Sequence, residues 1–260
     1  MDQNLKNPKV SVITVTYNRQ DFIREAIESV LTQSFTDWEL LIIDDASTDQ
    51  TQSIANEYIA KDARIKYYKN DKNLGIARTR NRGLELARGE YIAPLDSDDV
   101  WLDKNKLQKQ VEFLDINQDY ALLGGGIMHI DAKSKNIKKV LYPVYDSMIR
   151  NIILQFNPFP QSSLLYRKKA ALECGGYSES YQISDDYDLW LKMGLKYKFT
   201  NIPQVLTGYR IHTSNITHTK RLTIARETLE IVKLYAPHYN RAYLGILKAY
   251  IRIILSYIRA

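Results

Sequence analysis

Three carboxylates fall within four positions, Asp96, Asp98 and Asp99, directly behind the apolar run Tyr91-Ile-Ala-Pro-Leu95. Like charges this close repel, and next to a buried strand their desolvation adds to the cost. A single aspartate is enough to cap a turn ahead of the next helix, and that plain reading remains open. Three aspartates invite a cation. A hard divalent ion such as Mn2+ or Mg2+ accepts one or two carboxylates and completes its octahedron with phosphate oxygens and water. The spacing therefore suggests a stored preference for a metal together with a diphosphate.

Two more polar clusters follow apolar runs. Thr16-Tyr-Asn-Arg19 comes after Val10-Ser-Val-Ile-Thr-Val15, and Asp44-Asp45 comes after Leu40-Leu-Ile-Ile43. A carboxylate at such a place can accept hydrogen bonds from a base or a ribose, or simply close a turn. Tyr17 can stack on a base or pack. Further on, Asp185-Asp186 is either a general base or a pair of acids favoured at a helix start. His212 can touch a phosphate or a metal, although a lone histidine is more often structural. Arg78, Arg80 and Arg82 alternate, so on a helix they fan over different faces. No zinc-ligand spacing, phosphate-binding P-loop, Ser-His-Asp set or G-x-G-x-x-G fingerprint is present.

The elements that must position these groups alternate. Val10–Val15 reads as a strand, and Phe22, Ile23, Ala26, Ile27, Val30 and Leu31 follow helical spacing with Asp21 placed to cap them. Leu40–Ile43 is a second strand, and Thr48 or Asp49 can cap a helix through Tyr58. A strand at Arg64–Lys69, a helix at Gly75–Ala87, a strand at Tyr91–Leu95 and a helix at Lys104–Leu114 complete the series. Strands alternating with helices imply a parallel sheet covered on both faces, and ligands of such sheets sit beyond the carboxyl ends of the strands. Three strands delivering polar groups to one rim mark a site. Beyond Asn117 the rhythm changes: Tyr120–Ile130, Ile137–Val144 and Ser162–Tyr166 resemble strands, and a short helix covers Asp185–Met193.

In order along the chain, Val10-Ser-Val-Ile-Thr-Val-Thr-Tyr-Asn-Arg19, Ile42-Ile-Asp-Asp-Ala-Ser-Thr-Asp49, Asn73-Leu-Gly-Ile-Ala-Arg-Thr-Arg-Asn-Arg-Gly83, Leu95-Asp-Ser-Asp-Asp99 and Ser184-Asp-Asp-Tyr-Asp-Leu-Trp190 resemble the family 2 inverting glycosyltransferases over residues 8–215. The resemblance implies a GT-A fold: an α/β nucleotide-sugar half (8–115) joined to an acceptor half (116–217), followed by a basic helical segment (218–260). It implies that Thr16, Tyr17, Asn18, Asp45, Arg80 and Asp96 face the nucleotide-sugar donor. Asp96 and Asp98 would form the D-x-D pair, with Asp98 or its neighbour Asp99 as metal ligand; His212 is a further metal candidate from its imidazole chemistry alone. Asp186 would be the catalytic base, and Asp185 stands where the family usually has Glu. Val15 stands where the family often has Pro and Arg19 where it often has Glu, so fine donor contacts do not transfer. The acceptor would be a glycan or lipid-linked sugar in surface-polysaccharide assembly. A sugar nucleotidyltransferase and a non-catalytic nucleotide-sugar or membrane-binding protein are the competing readings; the former lacks its Gly-rich strand–loop here.

The 260 residues carry a net charge of +6, of which Arg221–Ala260 contributes +5 through seven Lys/Arg against Glu227 and Glu230. From Tyr243 to Ile258, apolar residues recur at 243, 247, 250, 251, 254, 255 and 258, with Lys248, Arg252 and Arg259 between them. Such a helix either packs on the domain or lies on an anionic membrane surface. Nucleic acid is a poor fit, because the cations interleave with Ile and Leu rather than with stacking aromatics. One cysteine, Cys174, and no apolar run near the roughly 18 residues of a membrane span suit a cytoplasmic protein, at most peripheral on the inner membrane face.

Overall fold

The computed structural model describes residues 7–258. Strands β1 (Val10–Thr16), β2 (Trp38–Asp44), β3 (Ile65–Lys69) and β4 (Tyr91–Pro94) pair in parallel in the order β3-β2-β1-β4. Successive residues of β1, β2 and β4 are buried because both faces of the sheet are covered. Val10, Val12, Leu40 and Ile42 point into one core with Ile23, Ile27 and Val30 of α1 (Ile23–Leu31) and Leu107, Val111 and Leu114 of α4 (Lys106–Ile116). Ile13, Leu41 and Ile43 point into the other, with Ala77 and Leu84 of α3 (Ile76–Leu86). Helix α3 lies close on the sheet: a Cβ at Gly83 would stand 2.6 Å from Ile13 Cγ2.

Helix starts differ in part from expectation. Asp21 caps nothing: α1 begins after a turn in which Phe22 N and Ile23 N donate to Arg19 O. Asp49 does serve α2 (Thr51–Ile59), its Oδ1 accepting from Thr51 N at 2.9 Å.

The sheet continues into the second half. Strand β8 (Leu165–Arg167) lies between β4 and β6 (Tyr120–Ile130), antiparallel to both, and β9 (Lys198–Arg210) runs parallel to β6. The short β5 (Val100–Trp101) and β7 (Asn136–Val140) pair with β9 and β6. Sequence pattern did not reveal β9, because Pro203 and Gln204 interrupt it. The register steps from Gly125↔Ile202 to Gly126↔Val205, so those two residues bulge out of the ladder.

Helices α5 (Asp146–Ile152), α6 (Lys168–Glu173) and α7 (Asp185–Gly194) pack on this half, followed by α8 (Ile216–Thr219), α9 (Arg221–Tyr235) and α10 (Ala242–Ile258). Helix α10 is buried at Gly245 and Ala249, and its apolar stripe faces outward. Arg259 lies outside the described residues.

Lys106 is an unusual member of the core. Its Nζ is fully buried, donates to Leu164 O at 3.0 Å and sits 4.2 Å over the Trp101 ring, and burial holds its pKa well below the ordinary 10.5. The folded chain therefore binds fewer protons than the unfolded one across the alkaline range, and stability should rise with pH towards 10.5. Lys106→Met should lack that rise. Chemical denaturation at pH 7 and pH 9.5 checks it: wild type should gain on the variant at the higher pH.

Candidate active site

The carboxyl ends of β1, β2 and β4 open into a cleft of about 900 Å³. Thr16, Tyr17, Asp45, Arg80, Asp96 and Asp186 all line it. All but Arg80, which projects from the middle of α3, come from the end of a strand or the start of a helix, which explains how residues 170 positions apart meet.

Asp45 organises one wall. Its Oδ1 accepts from Leu74 N at 2.7 Å and Asn70 Nδ2 at 2.8 Å, and its Oδ2 from Gly75 N at 2.9 Å. The loop before α3 is thereby held over the cleft, with Gly75 at φ +88, a backbone state that suits glycine. Asp44 turns the other way, accepting from Ser47 N and the Tyr67 hydroxyl. Asn18 does not line the cleft. It adopts φ 51 and ties β1 to the turn after β2, donating from its N to Ser47 Oγ and accepting from Thr48 N at its Oδ1. Tyr17 is 45% exposed at the rim, and Thr16 Oγ1 is buried without a partner.

The three aspartates after β4 separate. Asp99 turns inward: its Oδ2 accepts from Ser162 Oγ at 2.6 Å and its Oδ1 from Arg210 N at 2.8 Å, so both oxygens are taken and it does not reach the cleft. Asp98 does reach it, with His212 Nε2 at 2.9 Å and Arg19 Nε at 3.5 Å from its Oδ2. His212 stacks on Phe22 at 4.7 Å and is held by Ser214 Oγ at Nδ1. Buried Arg210 braces the group, donating from Nε to Asp98 O at 2.7 Å and from Nη2 to Glu25 at 2.9 Å. Among the described residues no three His, Cys, Asp or Glu side chains form a ready metal cage. Asp98, with Asp96 also lining the cleft, could instead supply the one or two carboxylate ligands of a hard ion that keeps water and phosphate oxygens, while both His212 ring nitrogens are engaged within the protein.

Arg80 is the centre of the charge network. Its Nη1 lies 3.0 Å from both oxygens of Asp185, its Nη2 donates to Asp96 at 3.4 Å, and its guanidinium stands over the Tyr177 ring. Asp185 is fully buried and wholly committed to this pair. Asp186, the next residue, faces the cleft. Burial pushes its carboxyl up to about 7; Arg80 opposes the rise, while Asp185 and Asp96 add to it. Asp96 is also raised, by burial first and then by Asp98, against the pull of Arg80. Its side chain is still 36% exposed, so water in the cleft softens the effect.

Sequence reasoning did not single out Glu227. From α9 it accepts from Gln182 N, Ile183 N and Ser184 N, fixing the turn that aims Asp186. Nor did it single out Lys220, which lines the cleft with Arg19. Glu227 carries no local signal because its partners are backbone groups 43 to 45 residues away.

The sequence profile of the family described as Glycosyl transferase family 2 matches residues 11–176. An uncharacterized glycosyltransferase of Methanocaldococcus jannaschii is 34% identical over 80% of this chain and 72% of its own length. The Escherichia coli UDP-Glc:alpha-D-GlcNAc-diphosphoundecaprenol beta-1,3-glucosyltransferase WfaP is 31% identical over 88% of both. The chain spans from 30% to 88% of the length of the curated relatives it matches. Among solved structures, the mannosyltransferase PcManGT from Pyrobaculum calidifontis, in complex with GDP-Man and Mn2+, superposes with a TM-score of 0.71 at 17% identity, over 98% of this chain and 77% of that one.

Adjacent acids should respond oppositely to neutralisation. Asp185→Asn leaves the buried Arg80 cation short of its main partner and should cost about 3–5 kcal/mol in denaturant unfolding. Asp186→Asn removes a carboxylate that folding disfavours. It should stabilise by on the order of 1 kcal/mol above pH 7 and less as the pH falls below it, since the wild-type group is then protonated.

Proposed function

The chain belongs to glycosyl transferase family 2, and on that premise we propose that it transfers a sugar from a nucleoside-diphosphate sugar to an acceptor hydroxyl with inversion. The supporting observation is the carboxyl of Asp186, which faces the cleft with a pKa brought near 7 while Asp185 is held by Arg80. A group poised near the working pH is suited to taking a proton in the transition state. The acceptor oxygen attacks the anomeric carbon as the bond from that carbon to the diphosphate oxygen breaks on the opposite side. The hydroxyl proton passes to Asp186, so a single displacement inverts the centre and needs no protein nucleophile.

The other cleft residues fit the donor. Tyr17 at the rim can stack on the base, and Asp45 and the unpartnered Thr16 hydroxyl lie within the same wall. Arg19 and Lys220 offer cationic side chains toward the diphosphate. The carboxylates of Asp98 and Asp96, with His212 orienting Asp98, would hold Mn2+ or Mg2+, whose chemistry there would be to neutralise charge gathering on the departing diphosphate. The WfaP name specifies a UDP-sugar donor and a lipid diphosphate acceptor. A UDP-sugar and a lipid-linked or glycan acceptor in surface-polysaccharide synthesis are the reading we adopt.

Replacing Asp186 by Asn should reduce turnover by roughly 10²–10⁴-fold while leaving donor binding intact. In wild type, kcat should fall on the acid side of about pH 7. Turnover kinetics with candidate UDP-sugars decide this, and an active Asp186→Asn enzyme would remove the base assignment. A thermal-shift panel of nucleoside diphosphates, with and without Mn2+, checks the metal. UDP should raise the melting temperature further when Mn2+ is present, and Asp98→Ala should abolish that extra increment. Incubation with a sugar 1-phosphate and a nucleoside triphosphate should yield no nucleotide sugar.

A further inference from the structure

Helix α10 is held to the protein by its smallest residues. Gly245 and Ala249 are buried, and a Cβ added at Gly245 would come within 2.5 Å of the Leu154 carbonyl oxygen. The large apolar side chains face away: Tyr243, Leu247, Ile251, Ile254, Leu255 and Ile258 are 42 to 74% exposed. Core packing therefore does not account for the stripe.

Both borders of the stripe are cationic. On one side Lys233 stands 5.2 Å over the Tyr250 ring and Arg226 donates to the Tyr257 hydroxyl at 2.7 Å, both reaching across from α9. On the other, Lys248 and Arg252 donate to the side chain and backbone carbonyl of Gln155 at 3.0 and 2.8 Å. No Asp or Glu follows Glu230 in the chain.

We propose that this face docks the protein on an anionic lipid bilayer, with α10 lying in the plane of the interface. An apolar strip with basic flanks matches the boundary between acyl chains and phosphate headgroups. No described helix is long and apolar enough to cross a membrane, so the helix lies on the surface. A second copy of this chain suits the face poorly, because a twofold contact would set cations against cations around the apolar centre. The docked helix is tied to a segment that reaches the cleft. Gln155, gripped by Lys248 and Arg252, is followed two and four residues later by Asn157 and Phe159, both of which line the cleft. An acceptor carried on lipid would thus be presented at the cleft mouth, although the docking itself does not depend on the transfer reaction.

Flotation of the full chain with vesicles of phosphatidylglycerol and phosphatidylethanolamine, against vesicles of phosphatidylcholine alone, tests this. Binding is expected to the anionic vesicles and to weaken with salt. In the variant Leu247→Ser/Ile251→Ser/Ile254→Ser it should fall roughly tenfold or more, with an unchanged melting temperature because these positions are exposed. No binding to the anionic vesicles, equal binding to neutral ones, or equal binding by the variant would overturn the proposal. Light scattering showing a dimer that the same substitutions dissolve would also overturn it, assigning the face to a second copy.

Discussion

The cleft depends on one buried cation. Arg80 comes from α3, and the groups it holds come from the turn after β4 and the start of α7, so a single guanidinium ties three segments of the chain at fixed distances. The interaction constrains as much as it stabilises. An unpaired guanidinium in this position would be very costly, so the acids must come to it wherever else their segments might settle. Tyr177, under the guanidinium, adds an aromatic face, and its hydroxyl bonds to the Tyr166 hydroxyl deeper in the core. The network therefore continues into packed side chains and is not a surface contact.

From this constraint follows a division of labour that recurs in the chain. Each adjacent pair of aspartates at the cleft splits into one inward and one cleft-facing member. Asp44 closes the turn after β2 while Asp45 holds the wall. Asp99 is sealed by Ser162 and Arg210 while Asp98 meets His212. Asp185 serves Arg80 while Asp186 faces the cleft. Successive side chains leave an extended strand end or a helix start in different directions, so a doublet can serve architecture and cleft together. The inward member uses up its hydrogen-bonding capacity on protein donors. The outward member borders the cleft even where, as at Asp45, its oxygens already accept from protein donors.

This splitting also marks what the sequence could and could not disclose. The β-α alternation, the parallel half of the sheet and the convergence of three strand ends were legible, because period and burial are local properties of the chain. That Asp186 rather than Asp185 faces the cleft was not legible in the local spacing, since it depends on Arg80 about 105 residues away. Which of Asp98 and Asp99 faces out was not decidable, since spacing cannot show that Ser162 and Arg210 N are waiting for one of them. Strand β9 was hidden by its bulge at Pro203 and Gln204, and with it the origin of Arg210 and His212. Asn18 read as a donor contact, and its actual work, closing the β1 turn, depends on Ser47 and Thr48 about 30 residues on.

Strand β9 matters because its far end links the two halves. Arg210, fully buried at its last position, contacts the Asp98 carbonyl, Glu25 of α1 and Ser134 beside β7, and lies over the Phe22 ring. Phe22 in turn carries His212 on its other partner contact, stacked at 4.7 Å. A cation, an aromatic ring and an imidazole thus form one packed unit in which the imidazole cannot shift without moving Phe22, nor the Asp98 backbone without disturbing Arg210. The Asp98 end of the cleft is therefore braced by packed side chains. Preorganisation of this kind lowers the reorganisation needed when charge develops. It also explains why a residue as costly to bury as Arg210 stands where β9 ends: no apolar side chain could hold the Asp98 carbonyl, the β6–β7 turn and α1 at once.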